Sequence, residues 1–144
     1  MEFFGQFEHT IDDKGRMVLP SAYRSEFAGG AYVAFVGASA GLFTQDGWER
    51  YRRKLELSGN FTRKQMQVLL SLVSPVTPDS QHRVTINAKL REILGLQREV
   101  TIVGSGSFAA IYDRSNWSAL EIETLSSSAD GMGLSGAFDG LPSL

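Results

Sequence analysis

Residues 11–27 read IDDKGRMVLPSAYRSEF, and residues 78–94 read PDSQHRVTINAKLREIL. A shift of 67 residues, the separation of Asp12 from Asp79, lays the second stretch on the first. Arg16 then falls on Arg83 and Arg24 on Arg91. Apolar positions follow: Met17 meets Val84, Leu19 meets Ile86, Tyr23 meets Leu90 and Phe27 meets Leu94. The match runs on through Val33/Val100, Phe35/Ile102, Val36/Val103 and Gly37/Gly104. After the second copy gains two residues, Leu42, Phe43 and Trp48 meet Ile111, Tyr112 and Trp117. Gapped similarity of this extent is an internal repeat. Two copies make a pseudo-symmetric pair, not a solenoid.

Each copy reads as β-β-α-β-β-α. The first predicts strands near 5–11, 16–19, 31–36 and 41–45, with a short helix over 21–27. Asp46, with Glu49 at capping-box spacing, is expected to start a helix over 47–57. Asn60 or Thr62 starts another reaching Leu72, with Phe61, Gln65, Val68, Leu69 and Leu72 on one face. In the second copy strands fall near 74–78, 83–86, 99–104 and 108–113, and helices near 88–94 and 115–124. The expected fold class is α+β, mainly β and barrel-like: two tandem repeats about a pseudo-twofold axis, plus peripheral helices. The expected boundaries are 1–73, 74–125, and a flexible Ser/Gly-rich tail over 126–144.

A unit of some 60 residues buries about 60% of its unfolded surface and is marginal alone. The strand AYVAFV (31–36) is apolar at nearly every position and expects cover on both faces. Interleaving strands from both copies into one closed sheet would supply that cover and remove exposed edges.

The segment Asp12-Asp13-Lys14-Gly15-Arg16 carries hairpin chemistry. An aspartate side chain accepts backbone N–H groups two residues on, and glycine supplies the left-handed residue. Asp12 and Asp79 are therefore read as turn-structuring residues. Arg16 emerges as the first residue of the next strand. It is either a surface cation on a hairpin or a preorganised arginine for anions and guanine edges, and its recurrence as Arg83 favours the second. His82 stands where Gly15 stands in the first copy. It either holds the same left-handed turn at a cost or changes the turn type; a phosphate contact beside Arg83 is a further role for it.

EHTIDDKGRMVLPSAYR resembles the first signature of the MraZ family, and DSQHRVTINAKLREILGL its second. The resemblance covers roughly residues 1–124. It implies the AbrB-like swapped-hairpin fold. It also implies a DNA-binding transcriptional regulator of the division and cell-wall gene cluster, a repressor by family habit, acting on repeated boxes in its own promoter. The implied partners are double-stranded DNA and further copies of the chain in a ring, eight being one candidate number. The implied location is the cytoplasm, at the nucleoid. The signature arginines map onto Arg16 and Arg83, with Lys14, Gly15 and His82 beside them as DNA-binding candidates. His82 for glycine, and Asn87 where Pro20 stands, depart from the signature and put equal use of the two copies in question.

The remaining composition narrows the field. The 144 residues contain no cysteine, which excludes disulfides and thiolate chemistry. No secretory leader or membrane span is read. Net charge is −2, and with Asp130 and Asp139 in the tail the rest balances. DNA binding would then need a local basic face, or several faces gathered by assembly. His9 and His82 lie on different elements without a partner at metal spacing. GSGS (104–107) joins two strands and reads as a glycine turn, not a phosphate loop. No catalytic constellation, metal, cofactor or small-molecule ligand is expected. The basic run in WERYRRKLEL (48–57) reads as a solvated helix face with a Glu49–Arg53 pair, with a supporting phosphate contact or subunit interface as the sharper alternative. The alternative function is an AbrB-type antitoxin or a protein-binding scaffold.

Overall fold

The two repeats trade strands. In the computed structural model, which describes residues 2–126 and 133–142, the first compact unit covers residues 1–113. Its elements are β1 (Gln6–Thr10), β2 (Arg16–Val18), a 3-10 turn Ser21–Tyr23 leading into α1 (Arg24–Phe27), β3 (Ala31–Phe35) and β4 (Ala40–Phe43). There follow α2 (Gln45–Leu57), α3 (Arg63–Ser71), β5 (Ser74–Val76), β6 (Arg83–Thr85), α4 (Ala88–Leu94), β7 (Glu99–Gly104) and β8 (Ala109–Asp113). Six strands form an antiparallel sheet in the order β1-β7-β8-β4-β3-β5, so strands of both repeats are interleaved in one sheet. The other two, β2 and β6, pair with each other.

The strands thus form two sheets where one closed sheet was expected. A single bridge, Ile11 to Met17, joins β1 to β2. The two ladders show where the pseudo-twofold axis passes. Met17 faces Val84 at the centre of β2–β6, and Gly41 faces Ala110 at the centre of β4–β8. Outside β2–β6 the symmetry continues: the Leu19 amide donates to the His82 carbonyl and the Ile86 amide to the Gly15 carbonyl, both at 2.8 Å. The symmetry breaks at the outer strands. His9 pairs with Val100, whose image would be Val76 with Val33, yet Val76 pairs with Ala31. A slip of two residues keeps every side chain on its own face, which is why the core tolerates it.

Strand β3 is covered on both faces, as its unbroken apolar run requires. Ala31, Val33 and Phe35 belong to the main core with Met17, Leu19, Phe27, Leu42, Val84, Ile86, Leu90 and Ile111. Tyr32, Ala34 and Val36 turn the other way, towards Phe43, Trp48, Tyr51 and Phe108. Each large apolar side chain buried in this way contributes ~1.5–3 kcal/mol. The N-terminal segment closes one end. Phe3 stacks on Phe27 with centroids 5.1 Å apart, and Phe3 and Gly106 exchange backbone hydrogen bonds at 2.6 and 3.0 Å. The GSGS segment is thus a turn clasped by the chain start.

Two local expectations are corrected. Thr44, not Asp46, caps α2: its side chain accepts the Gly47 amide at 3.1 Å. Asp46 sits inside the first turn, where its charge faces the positive helix end. The i,i+4 ion pair on α2 joins Arg52 to Glu56 at 2.8 Å, and the expected Glu49–Arg53 pair is not formed. Helix α3 starts at Thr62 with a full capping box to Gln65, and Phe61, Gln65, Val68, Leu69 and Leu72 do share a face, lining an open groove with Phe35 and Ile93.

The second compact unit, residues 114–144, holds α5 (Arg114–Ser126) and α6 (Gly133–Gly136). Leu120, Ile122 and Leu125 are exposed on α5. Of the segment expected to be a flexible tail, residues 127–132, 143 and 144 lie outside the described residues.

Candidate nucleic-acid interface

The candidate site is built on the β2–β6 ribbon and the two turns that feed it. In the first turn, Asp12 Oδ1 accepts the amides of Lys14 and Arg16, each at 2.9 Å. Its Oδ2 accepts Arg16 Nε at 2.8 Å. The Asp12 carbonyl accepts the Gly15 amide at 2.9 Å, and the Asp12 amide donates to the Arg16 carbonyl at 2.9 Å. The second turn repeats this bond for bond. Asp79 Oδ1 accepts Gln81 and Arg83 amides at 2.9 Å, and Oδ2 accepts Arg83 Nε at 2.8 Å. His82 holds φ +61°, against +79° at Gly15, so histidine keeps the left-handed turn instead of changing its type.

These bonds have an electrostatic consequence. The Arg16 backbone N–H, and then the Arg16 guanidinium and the Lys14 amide, hold the Asp12 carboxyl below the usual carboxylate range, outweighing partial desolvation. Arg83 and Gln81 do the same for Asp79. Each carboxylate thus stays charged and keeps its arginine aimed.

Alternation along the ribbon places the arginines. Met17 and Val84 point into the core, with relative exposures of 0% and 1%. Arg16, Val18, Arg83 and Thr85 therefore share the outward face. Arg16 pairs with Thr85 and Arg83 with Val18, so the two arginines are diagonal neighbours, about 7–8 Å apart at the backbone. Their side chains are 30% and 24% exposed. Among the described residues each guanidinium is engaged through Nε alone, which leaves its Nη edge to an outside acceptor. Lys14 and His82 are exposed at the turn tips; Gly15 is buried.

Gly15 is buried by a residue that sequence reasoning passed over. An added Cβ there would meet Arg91 Nη2 at 2.9 Å and Cζ at 3.0 Å. Arg91 is held by its Nε donating to the Ile86 carbonyl at 2.9 Å. Its repeat mate Arg24 donates to the Leu19 carbonyl at 3.1 Å. The alignment of Arg24 with Arg91 was the available signal: a charged residue recurring beside the turn. Among the described residues no cluster of histidine and carboxylates could hold a metal ion, and no helix is long and apolar enough to cross a membrane.

Comparison with known proteins bears on this geometry. A family model described as "MraZ protein, putative antitoxin-like" matches residues 3–71 and again 69–131. The chain is 36% identical over 119 residues to a protein of Clavibacter michiganensis subsp. michiganensis named transcriptional regulator MraZ, covering 80% of this chain and 83% of the relative. A protein of the same name from Kocuria rhizophila is 38% identical over 120 residues, covering 80% and 83%. Another from Thermomicrobium roseum is 32% identical over 121 residues, covering 81% and 85%.

Proposed function

The chain belongs to the MraZ family, and on that premise we propose that it is a transcriptional regulator that reads promoter DNA with the β2–β6 ribbon. The observation that carries this reading is the shared outward face of Arg16 and Arg83, each aimed by its own turn aspartate. The DNA major groove admits a two-stranded β-ribbon, and an arginine bonding guanine O6 and N7 contributes ~1–3 kcal/mol of discrimination. Lys14 and His82, at the turn tips, contact phosphate; Gly15 lets the backbone turn. Phosphate contacts set register and arginines specify bases.

A chain of net charge −2 is a weak polyanion binder alone. Assembly into a ring sets many ribbons side by side, so repeated boxes in its own promoter, ahead of the division and cell-wall genes, are gripped together. The activity is regulatory, not catalytic, and its place is the cytoplasm, at the nucleoid. Repression follows from occupying the promoter.

Two measurements test this. A duplex from upstream of the chain's own gene should be shifted by the wild type and not by Arg16→Ala. Light scattering should report a closed oligomer with and without that duplex. Unchanged affinity of Arg16→Ala overturns the reading. A second reading, a protein-binding antitoxin or scaffold, is favoured by the wording of the family description and by the exposed Leu120, Ile122 and Leu125 of α5. It requires a protein ligand whose binding ignores Arg16.

A further inference from the structure

We propose that the polar cavity beside the first turn binds a nucleic-acid phosphate, and that it makes the Arg16 turn the stronger of the two. This rests on the reading of the ribbon as a DNA-binding surface. The cavity, about 250 Å³, is lined by Asp12, Asp13, Arg91, Gln97 and Arg98 together with apolar Ile11 and Leu96. The Arg98 carbonyl accepts the Ile11 amide at 2.7 Å, so its backbone is fixed at the foot of the hairpin while its side chain is exposed. Arg91 is fixed by the Ile86 carbonyl and lies against Gly15. Arg16, Arg52 and Arg83 pair with carboxylates, whereas neither Arg91 nor Arg98 forms an ion pair among the described residues. Two guanidiniums converging on one cavity suit a phosphodiester, which each can bind through paired N–H groups.

Charge decides the sign despite the two carboxylates. Arg16, Lys14, Arg91 and Arg98 outweigh Asp12 and Asp13 by two. At the second turn the same positions hold Arg83, Gln81, Arg24 and Ala31 against Asp79 and Ser80, an excess of one. The mate of Arg98 is thus Ala31, a buried strand residue. The mate of Gly15 is His82, which is exposed, while Gly15 is covered. The pseudo-twofold ribbon consequently has a strong end and a weak end. A symmetric ribbon would lie on DNA equally well in either direction; this one prefers a single direction along the duplex.

The test uses the full-length chain and fluorescence anisotropy with a duplex from upstream of its own gene, over a series of salt concentrations. Arg98→Gln and Arg91→Gln should each weaken binding several-fold and lower the salt slope by about one, on that duplex and on a scrambled one alike. Arg63→Gln, an exposed cation on α3, should leave the slope unchanged. Arg83→Gln should cost less affinity than Arg16→Gln. Thermal melting accompanies each variant; if Arg91→Gln melts early, Arg98→Gln carries the test, because its side chain makes no hydrogen bond or ion pair among the described residues. Arg98→Gln with a wild-type slope, while Arg16→Gln abolishes binding, overturns the cavity and spares the reading. Equal losses from Arg83→Gln and Arg16→Gln overturn the inequality, as does an equal slope change in Arg63→Gln. A wild type without salt-dependent DNA binding overturns both.

Discussion

Asp12 fixes Arg16 twice: Oδ1 accepts its backbone amide at 2.9 Å and Oδ2 accepts its Nε at 2.8 Å. One carboxylate sets both the path of the chain and the direction of the side chain. Asp12→Asn separates the two. The amide oxygen can still accept the Lys14 and Arg16 amides, but the amide nitrogen cannot accept Nε. The turn should persist while the guanidinium swings free. Removing a negative charge strengthens non-specific binding, and losing the aim weakens specific binding. The ratio of specific to scrambled-duplex affinity should fall about tenfold, the worth of one misdirected arginine. Competition titration measures it; an unchanged ratio means the Nε bond does not aim the side chain.

Arg16→Ala should abolish specific binding without altering assembly and with only a small drop in melting, because its side chain bonds only to Asp12 among the described residues. Arg83→Ala should leave measurable binding. Gel shifts alongside light scattering check both halves, and loss of assembly in Arg16→Ala would show a structural role instead.

The two left-handed turn positions should respond unequally. Gly15→Ala places a Cβ 2.9 Å from Arg91 at φ +79°, and the left-handed conformation alone costs ~1–2 kcal/mol. His82→Gly removes that strain at φ +61° but returns backbone freedom to the unfolded chain, so stability should change by less than about 1 kcal/mol. Denaturant unfolding of both variants decides; a Gly15→Ala as stable as wild type contradicts the packing of Arg91.

Gly104 tests the N-terminal clasp. A Cβ there would lie 2.4 Å from the Phe4 backbone, and main chain cannot rotate aside. Gly104→Ala should displace Phe3 from Phe27 and cost roughly 1–3 kcal/mol, the usual range for overpacking. Gly29→Ala, with nothing within 4 Å, is the matched control and should melt like the wild type.

Acid should weaken the fold through the turns. Asp12 and Asp79 have folded pKa values depressed below the ordinary 3.8. The unfolded chain therefore binds protons first as pH falls. The contribution of both groups is complete above that ordinary value and is lost as pH drops through the depressed folded values. Unfolding midpoints measured down an acid series should fall in this window, and Asp12→Asn/Asp79→Asn should show a shallower fall. Parallel curves would mean the carboxylates do not couple to folding.

Much of this was legible because the repeat doubles every signal. The turn, the strand positions and the two-faced burial of β3 all follow from residue types whose roles are local. What escaped depends on contacts between distant segments. Arg91 covering Gly15 joins residues of opposite repeats; the recurrence of Arg24 as Arg91 marks the position but not the contact. The start of α2 was ambiguous because Thr44 and Asp46 are both good caps; the strand ending at Phe43 left no linker, so the earlier residue took the role. On α2, Arg52 could reach Glu56 or leave the pairing to Glu49 and Arg53, and spacing alone does not choose between two i,i+4 pairs. The two-residue slip of β5 is invisible in sequence for the reason that makes it harmless: it preserves which side chains face inward.

The pairing of Met17 with Val84 is made within one chain. Had the halves been separate polypeptides, the ribbon would form only by encounter and would come apart on dilution. Tethered, it exists in every molecule however scarce the protein becomes, so dilution can undo an assembly of chains without undoing the ribbon itself.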